Sequence, residues 1–307
     1  MLKAAKRLEP LDRRLARETY LEALSAAYFA RLLWSGEEVL ETARAARAAP
    51  PPSQPPRASD LLLDGLALLI TEGYAAGTPT LRRAVTAFRD DDVSLGEGRR
   101  WLWLATRLPA FLWDDEDWDV LSARFVQLAR DAGELSVLPL ALTTRAGMHV
   151  FAGKLATATS LLEEVKALNE ATGASFPPYA ALARVAFQGR EAEAAQLIEA
   201  ATREVARRGE GQGPTFIHWV TAVLHNGLGR YEEALAAAQQ AAEGPYASWW
   251  RNWGLVELIE AAARSGEPEL AVDALGRLSQ TTAASGTDWA RGIEARSRAL
   301  LSDGEAA

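Results

Sequence analysis

Along nearly the whole chain, apolar residues recur every three or four positions, as in Leu15, Tyr20, Leu21, Leu24 and Tyr28, or Leu255, Ile259, Ala262 and Ala263. That spacing lays an apolar stripe along an α-helix and predicts helices throughout. Runs of alternating β-branched residues, which half-buried strands need, are missing. The fold class read from the pattern is all-α.

The helices are punctuated at regular intervals. Taking the turn residue before each shorter helix gives Gly36, Gly77, Asp115, Gly153, Gly189, Gly229, Gly266 and Gly304, spaced 36 to 41 residues apart. A period of that size predicts a helix-pair array. We therefore expect one domain over residues 1–307, a right-handed solenoid of antiparallel helix pairs in which each unit touches only its neighbours. The first pair spans 1–48 and the remaining pairs 58–307. Between them "APPPSQPPR" (49–57) carries five prolines and predicts an extended surface linker.

Within each unit the second helix opens on acidic residues, as in "GEEVLE", "DDEDWD", "GREAEA", "GRYEEA" and "GEPELA". Carboxylates there suit the positive end of the helix dipole. Small residues mark close helix crossings, with Ala222 expected against Ala234 and Ala238. Pro109 is expected to kink the helix that contains it. The last unit holds one full helix, about Thr287 to Leu301, and only the start of a second at "GEAA". The chain thus reads as a segment of a longer ancestral array, with its final helix as a cap.

Composition narrows the functions. A net charge of −8 gives no footprint for direct nucleic-acid binding, which needs clustered Lys and Arg. With no Cys, disulfides, thiolate metal sites and cysteine nucleophiles are excluded. Three scattered His residues suggest no metal site. No apolar stretch reaches the length of a membrane span, and the N-terminus lacks a secretory pattern. A cytoplasmic protein without cofactor or membrane contact is expected.

The segment "NGLGRYEEALAAAQQA" (226–241) is similar to the tetratricopeptide repeat, with its Leu-Gly-x-Tyr turn and with Ala234 and Ala241 at crossing positions. His225 and Ala222 stand where that family has an aromatic and a Gly, and the periods exceed the family's 34. A wider resemblance covers nearly the whole chain. Phrases such as "LLLDGLALLITEGYAAG", "ARDAGELSVLPLAL" and "SGTDWARGIEARSRALLSDGEAA" look like the helical-repeat region of large ATP-binding LuxR-type transcriptional regulators of actinobacteria. In that family the region lies between a nucleotide-binding module and a helix-turn-helix, and the resemblance implies a role in sensing ligands or partners. No phosphate-binding loop and no basic recognition helix occurs in this sequence, so neither ATP hydrolysis nor promoter binding is implied for it.

Projecting the first helices of the pairs onto a concave face brings chemistry-bearing residues together. The inward set comprises Phe176 and Tyr179, then Phe216, Trp219 and Asn226, then Trp253, Glu257, Glu260 and Arg264, and lastly Arg291, Glu294 and Arg298. Trp253, Glu257, Glu260 and Arg264 form one stripe of a single helix. As a plain solvated face this stripe needs only a Glu260–Arg264 pair. As a pocket it offers Trp219, Trp250 and Trp253 as flat walls around a carboxylate.

His218 and His225 share a helix face, which makes them the better placed histidines, with Arg145 and His149 a weaker pair. The acidic run in "WLWLATRLPAFLWDDEDW" (101–118) is read as dipole compensation rather than a cation site.

Two functions fit. One is a stand-alone module binding a small aromatic molecule, with Tyr179, Phe216, His218, Trp219, Asn226, Trp250, Trp253, Arg264 and Arg298 as candidate contacts. A protein partner in the same groove, as an adaptor has, is a variant of it. The alternative is a cofactor-free enzyme of natural-product biosynthesis. There Glu257 or Glu260 is the acid/base for condensation or cyclisation of an aromatic amine, as in a Pictet-Spengler closure.

Overall fold

The structure is a computed structural model that describes residues 1–29, 36–52, 55–90, 93–173, 177–244 and 248–302. The described residues are helical with turns, and no strand occurs among them. The N-terminal helices are α1 (Leu2–Leu8), α2 (Arg13–Phe29), α3 (Gly36–Arg47), α4 (Ala58–Glu72), α5 (Tyr74–Arg89) and α6 (Leu95–Ala105). The middle ones are α7 (Leu108–Phe111), α8 (Asp115–Asp131), α9 (Leu138–Phe151), α10 (Leu155–Thr172), α11 (Tyr179–Phe187) and α12 (Glu191–Arg208). The chain closes with α13 (Gly213–Gly227), α14 (Tyr231–Ala242), α15 (Trp249–Ser265), α16 (Pro268–Ser285) and α17 (Asp288–Ala299). Among the described residues no helix is long and apolar enough to cross a membrane.

Successive helices pack on one another, as α4 does on α5, α9 on α10, and α13 on α14 and α15. In α13 the buried positions Phe216, Trp219, Val220, Val223 and Leu224 repeat at helical spacing, so burying that stripe fixes the rotation of the helix. Ala222, Ala234 and Ala238 are all fully buried, in keeping with close packing of α13 on α14. The linker at 49–57 separates α3 from α4, and the Pro50 carbonyl there accepts a hydrogen bond from Arg17. At the start of α8 the Asp114 carboxylate accepts the Asp117 amide at 3.0 Å, a cap that stabilises by about 1 kcal/mol.

Several boundaries differ from the expectation. The turn before α5 is made by Gly73, at φ 99°, while Gly77 lies inside the helix. Gly77 is small for another reason: a Cβ there would come within 2.9 Å of the Leu69 backbone where α4 and α5 cross. Pro109 does not kink a helix, because α6 has already ended at Ala105 and the proline falls in the first turn of the separate α7. Proline fits there, where its missing N–H has no partner to lose. Gly304 and the start of a second helix in the last unit lie outside the described residues.

Asp115 is likewise not the turn residue of its unit. Trp113 is, at φ 56°, so a bulky side chain occupies a left-handed position that glycine fills in the turns at Gly73, Gly153, Gly189, Gly229 and Gly266. Left-handed backbone costs a non-glycine residue roughly 1–2 kcal/mol. Here the indole is fully buried, with ring centroids 4.9 Å from Trp253 and 5.7 Å from Trp289, and that burial offsets the cost.

The contacts of Trp113 also depart from the neighbour-only pattern. The Thr287 hydroxyl donates to the Trp113 carbonyl at 2.5 Å, and Ser285 donates to the Leu112 carbonyl. Arg82 of α5 donates to the Ser285 carbonyl, and α5 packs on α16. A second bridge joins the amide of Gly211 to the Phe29 carbonyl at 2.7 Å. Segments far apart in sequence therefore close over the middle of the molecule, where the apolar residues form two main clusters. Trp113 and Trp118 belong to the cluster built mainly by the C-terminal half.

Candidate functional site

Beside that closure lies a cavity of about 1120 Å³ that opens to solvent. Its walls are aromatic. Trp118, Phe151, Trp219, Trp253 and Trp289 line it, contributed by five different helices. Phe151 neighbours all four indoles, with centroids 5.3 Å from Trp118, 5.6 Å from Trp219, 4.1 Å from Trp253 and 6.4 Å from Trp289. Trp253 and Trp289 meet edge to face at 5.2 Å, and Trp113 stands behind both. Offset and edge-on pairs of this kind add to stability and hold the rings in place.

Glu257 follows Trp253 by one turn of α15 and faces the same cavity. The side-chain amide of Asn226, on α13, donates to its carboxylate at 2.9 Å and to its backbone carbonyl at 3.1 Å. Burial pushes the Glu257 carboxyl up to about 7. The Asn226 hydrogen bond opposes that shift, the negative charge of Glu260 adds to it, and Arg296 opposes it. Glu260 also lines the cavity, in an ion pair with Arg296 of α17. It does not pair with Arg264 as helix spacing suggested.

Asp115, Glu116, Asp119, Glu257, Glu260 and Asp288 line the cavity with Lys154 and Arg296; Asp119, Glu260 and Asp288 are paired with Arg145, Arg296 and Arg291, which leaves Asp115, Glu116 and Glu257 against Lys154. Among the described residues the indole N–H groups of Trp219 and Trp253 and the side-chain oxygen of Asn226 have no hydrogen-bond partner. No group of three or more His, Cys, Asp or Glu side chains able to hold a metal occurs among the described residues.

A smaller cavity of about 240 Å³ adjoins the first and shares Trp118, Phe151 and Trp219 with it. Tyr179, Phe216 and Trp250 line this one instead of the larger space. Phe216 sits between the other two, 4.6 Å from Tyr179 and 4.7 Å from Trp250, and Trp250 stacks on Trp219 at 5.2 Å. Burial, then the negative charge of Glu210 and the hydrogen bond that the hydroxyl donates to it, push the Tyr179 phenol well above its ordinary range.

The sequence candidates thus divide into three groups. Trp219, Asn226, Trp253, Glu257 and Glu260 meet in the larger cavity, and Tyr179, Phe216 and Trp250 in the smaller. His218, Arg264 and Arg298 line neither. Burial lowers the His218 pKa. Arg264 is exposed at the last turn of α15, beyond the cavity. Arg298 is exposed and paired with Glu294 at 2.5 Å. Arg291 is exposed on Asp288, and Phe176 lies outside the described residues.

Sequence projection missed Trp118, Phe151, Trp289 and Arg296. One signal was present: Phe151 and Phe187, both in the cavity wall, each stand two residues before a left-handed glycine, Gly153 and Gly189.

No protein-family model matches the chain, and no relative is found among the curated proteins.

Proposed function

We propose that the larger cavity takes a small aromatic amine and that Glu257 transfers protons on it, so that the chain is a cofactor-free acid/base enzyme. The observation that carries this reading is Glu257 itself, a carboxyl near half-protonation at neutral pH, held by Asn226 inside a cavity walled by tryptophans. A proton donor and acceptor works best when its pKa lies near the working pH. The excess of carboxylates favours a cationic ligand, and indole faces attract cations.

The reaction class is a Pictet-Spengler condensation of an arylethylamine with an aldehyde. The Glu257 carboxylate takes a proton from the bound ammonium, the free amine nitrogen bonds to the carbonyl carbon, and the protonated Glu257 returns the proton as the carbinolamine hydroxyl leaves as water, giving an iminium ion. The aromatic ring carbon then bonds to the iminium carbon. The Glu257 carboxylate takes the ring proton and passes it to the product amine, regaining its ionised starting state, so ammonium and aldehyde become cyclised ammonium product and water. The aromatic walls favour the two cationic intermediates.

Incubating the protein with tryptamine and acetaldehyde and following tetrahydro-β-carboline by mass spectrometry tests this. Formation above the buffer rate that is lost in Glu257→Gln and kept in Arg264→Gln supports it. A rate equal to buffer, or an unchanged Glu257→Gln rate, removes it.

A second reading is favoured by the resemblance to regulator repeat regions. On that reading the chain is a ligand-binding array derived from a LuxR-type sensor, and the cavity holds its effector without turnover. Binding of tryptamine without product would favour it. We read the architecture behind both as a right-handed, tetratricopeptide-like solenoid of antiparallel helix pairs. Its support is the packing of successive helices and the turns from Gly73 to Gly266, spaced 36 to 40 residues apart.

A further inference from the structure

Granted the proton-transfer reading at Glu257, on which this rests, we propose that the aldehyde substrate carries an apolar group of about one ring, which lies over Phe187 and Leu228 at the mouth of the larger cavity. Space sets the first condition. A cavity of roughly 150 Å³ admits benzene, and tryptamine has twice as many heavy atoms, so the amine takes up only about 300 Å³ of the 1120 Å³ present. An aldehyde as small as acetaldehyde leaves most of the space to water.

The wall sets the second. Its aromatic lining continues outward: Phe187 meets Phe151 edge to face at 5.6 Å and Trp219 at 6.3 Å, yet is 45% exposed. Other exposed side chains at the mouth, among them Asp115, Glu116, Lys154 and Arg296, are charged. Phe187 has an apolar neighbour on the next turn. A Cβ on Gly189, two residues after it, would lie 3.7 Å from a methyl carbon of Leu228, which is itself 36% exposed. The two side chains form an apolar lip on a largely charged rim.

Position sets the third. Asn226 holds Glu257, Gly227 follows it in the cavity wall, and Leu228 comes next at the end of α13. Glu257 therefore has Trp253 one turn before it on α15 and the lip two residues beyond its Asn226 partner. An amine whose ring packs on the indoles leaves the aldehyde's substituent the way out over Phe187, where covering both apolar faces favours binding.

Calorimetric titration of the full chain with tryptamine, N-benzyltryptamine and N-(2-hydroxyethyl)tryptamine tests the assignment. The two N-substituents stand for an apolar and a polar aldehyde already joined to the amine, and reading them needs no turnover. N-benzyltryptamine is expected to bind about tenfold more tightly than tryptamine, and the hydroxyethyl amine no more tightly than tryptamine. Phe187→Ser and Leu228→Ser, both at exposed positions, should each cut the benzyl gain to about threefold or less and leave tryptamine unchanged. Equal affinity for the benzyl and hydroxyethyl amines, or a benzyl gain that survives in both serine variants, overturns the proposal. A benzyl gain lost in the serine variants while Glu257→Gln leaves every affinity untouched keeps the lip as the seat of the apolar group and removes only the proton-transfer reading. No binding of any of the three amines overturns both.

Discussion

Asn226 on α13 donates its side-chain amide to the Glu257 carboxylate of α15 at 2.9 Å, tying the acid to the neighbouring helix inside the aromatic cavity. A donor bonded to a carboxylate favours the charged form, so this contact restrains a pKa that burial drives upward. Asn226→Leu should therefore raise the Glu257 pKa above about 7. The carboxyl carbon chemical shift followed through a pH titration reads this directly. A fall, or no change, would show that the contact does not set the carboxyl's state.

The same shift has a consequence for folding. With a folded pKa raised from 4.5 to about 7, the folded chain binds more protons than the unfolded one across that interval. Stability contributed by the protonated Glu257 is complete below pH 4.5 and is lost as pH rises through about 7, on the order of 3 kcal/mol in all. Glu257→Gln, neutral at every pH, should gain stability relative to the original chain between pH 5 and pH 8. Urea unfolding of both at those two values checks it; a gap that does not change with pH contradicts the burial of this carboxyl.

The burial of Trp113 is expected to outweigh its backbone strain. Trp113→Gly relieves about 1–2 kcal/mol of left-handed strain but removes a fully buried indole, at a cost of about 3–5 kcal/mol. The net effect predicted is destabilisation by about 1–4 kcal/mol, together with loss of support behind Trp253 and Trp289. Chemical denaturation measures it, and a stabilised variant would show that the ring packing is not what holds this turn.

Thr287 does two jobs. Its hydroxyl donates to the Trp113 carbonyl and accepts the Ala290 amide as the cap of α17. Thr287→Val should cost about 1–2 kcal/mol and Thr287→Ser much less, because only the first removes the hydroxyl. Equal losses in the two variants would point to packing of the methyl group instead.

Much of the helical layout could be read from residue spacing, since the helices carry apolar stripes and α3, α8, α12, α14 and α16 open on acidic residues. The stripe Trp253, Glu257 and Glu260 likewise gave one wall of the cavity, because a single helix fixes their common face. Extending that stripe to Arg264 failed where α15 ends, one turn past the cavity. The opposite walls were hidden for a different reason. Trp118, Phe151 and Trp289 reach the cavity only because distant segments close through Thr287 on Trp113 and Arg82 on Ser285. No local periodicity encodes such contacts. Nor could spacing show that Tyr179, Phe216 and Trp250 face a separate space across the wall formed by Trp219 and Phe151.

The most direct test of the account is the titration of Glu257 in the presence and absence of tryptamine. The account predicts a pKa of about 7 in the free protein, falling when tryptamine is saturating because its ammonium group favours the ionised carboxylate. An ordinary value near 4.5 in the free protein, or a raised value that tryptamine leaves unmoved, would contradict it.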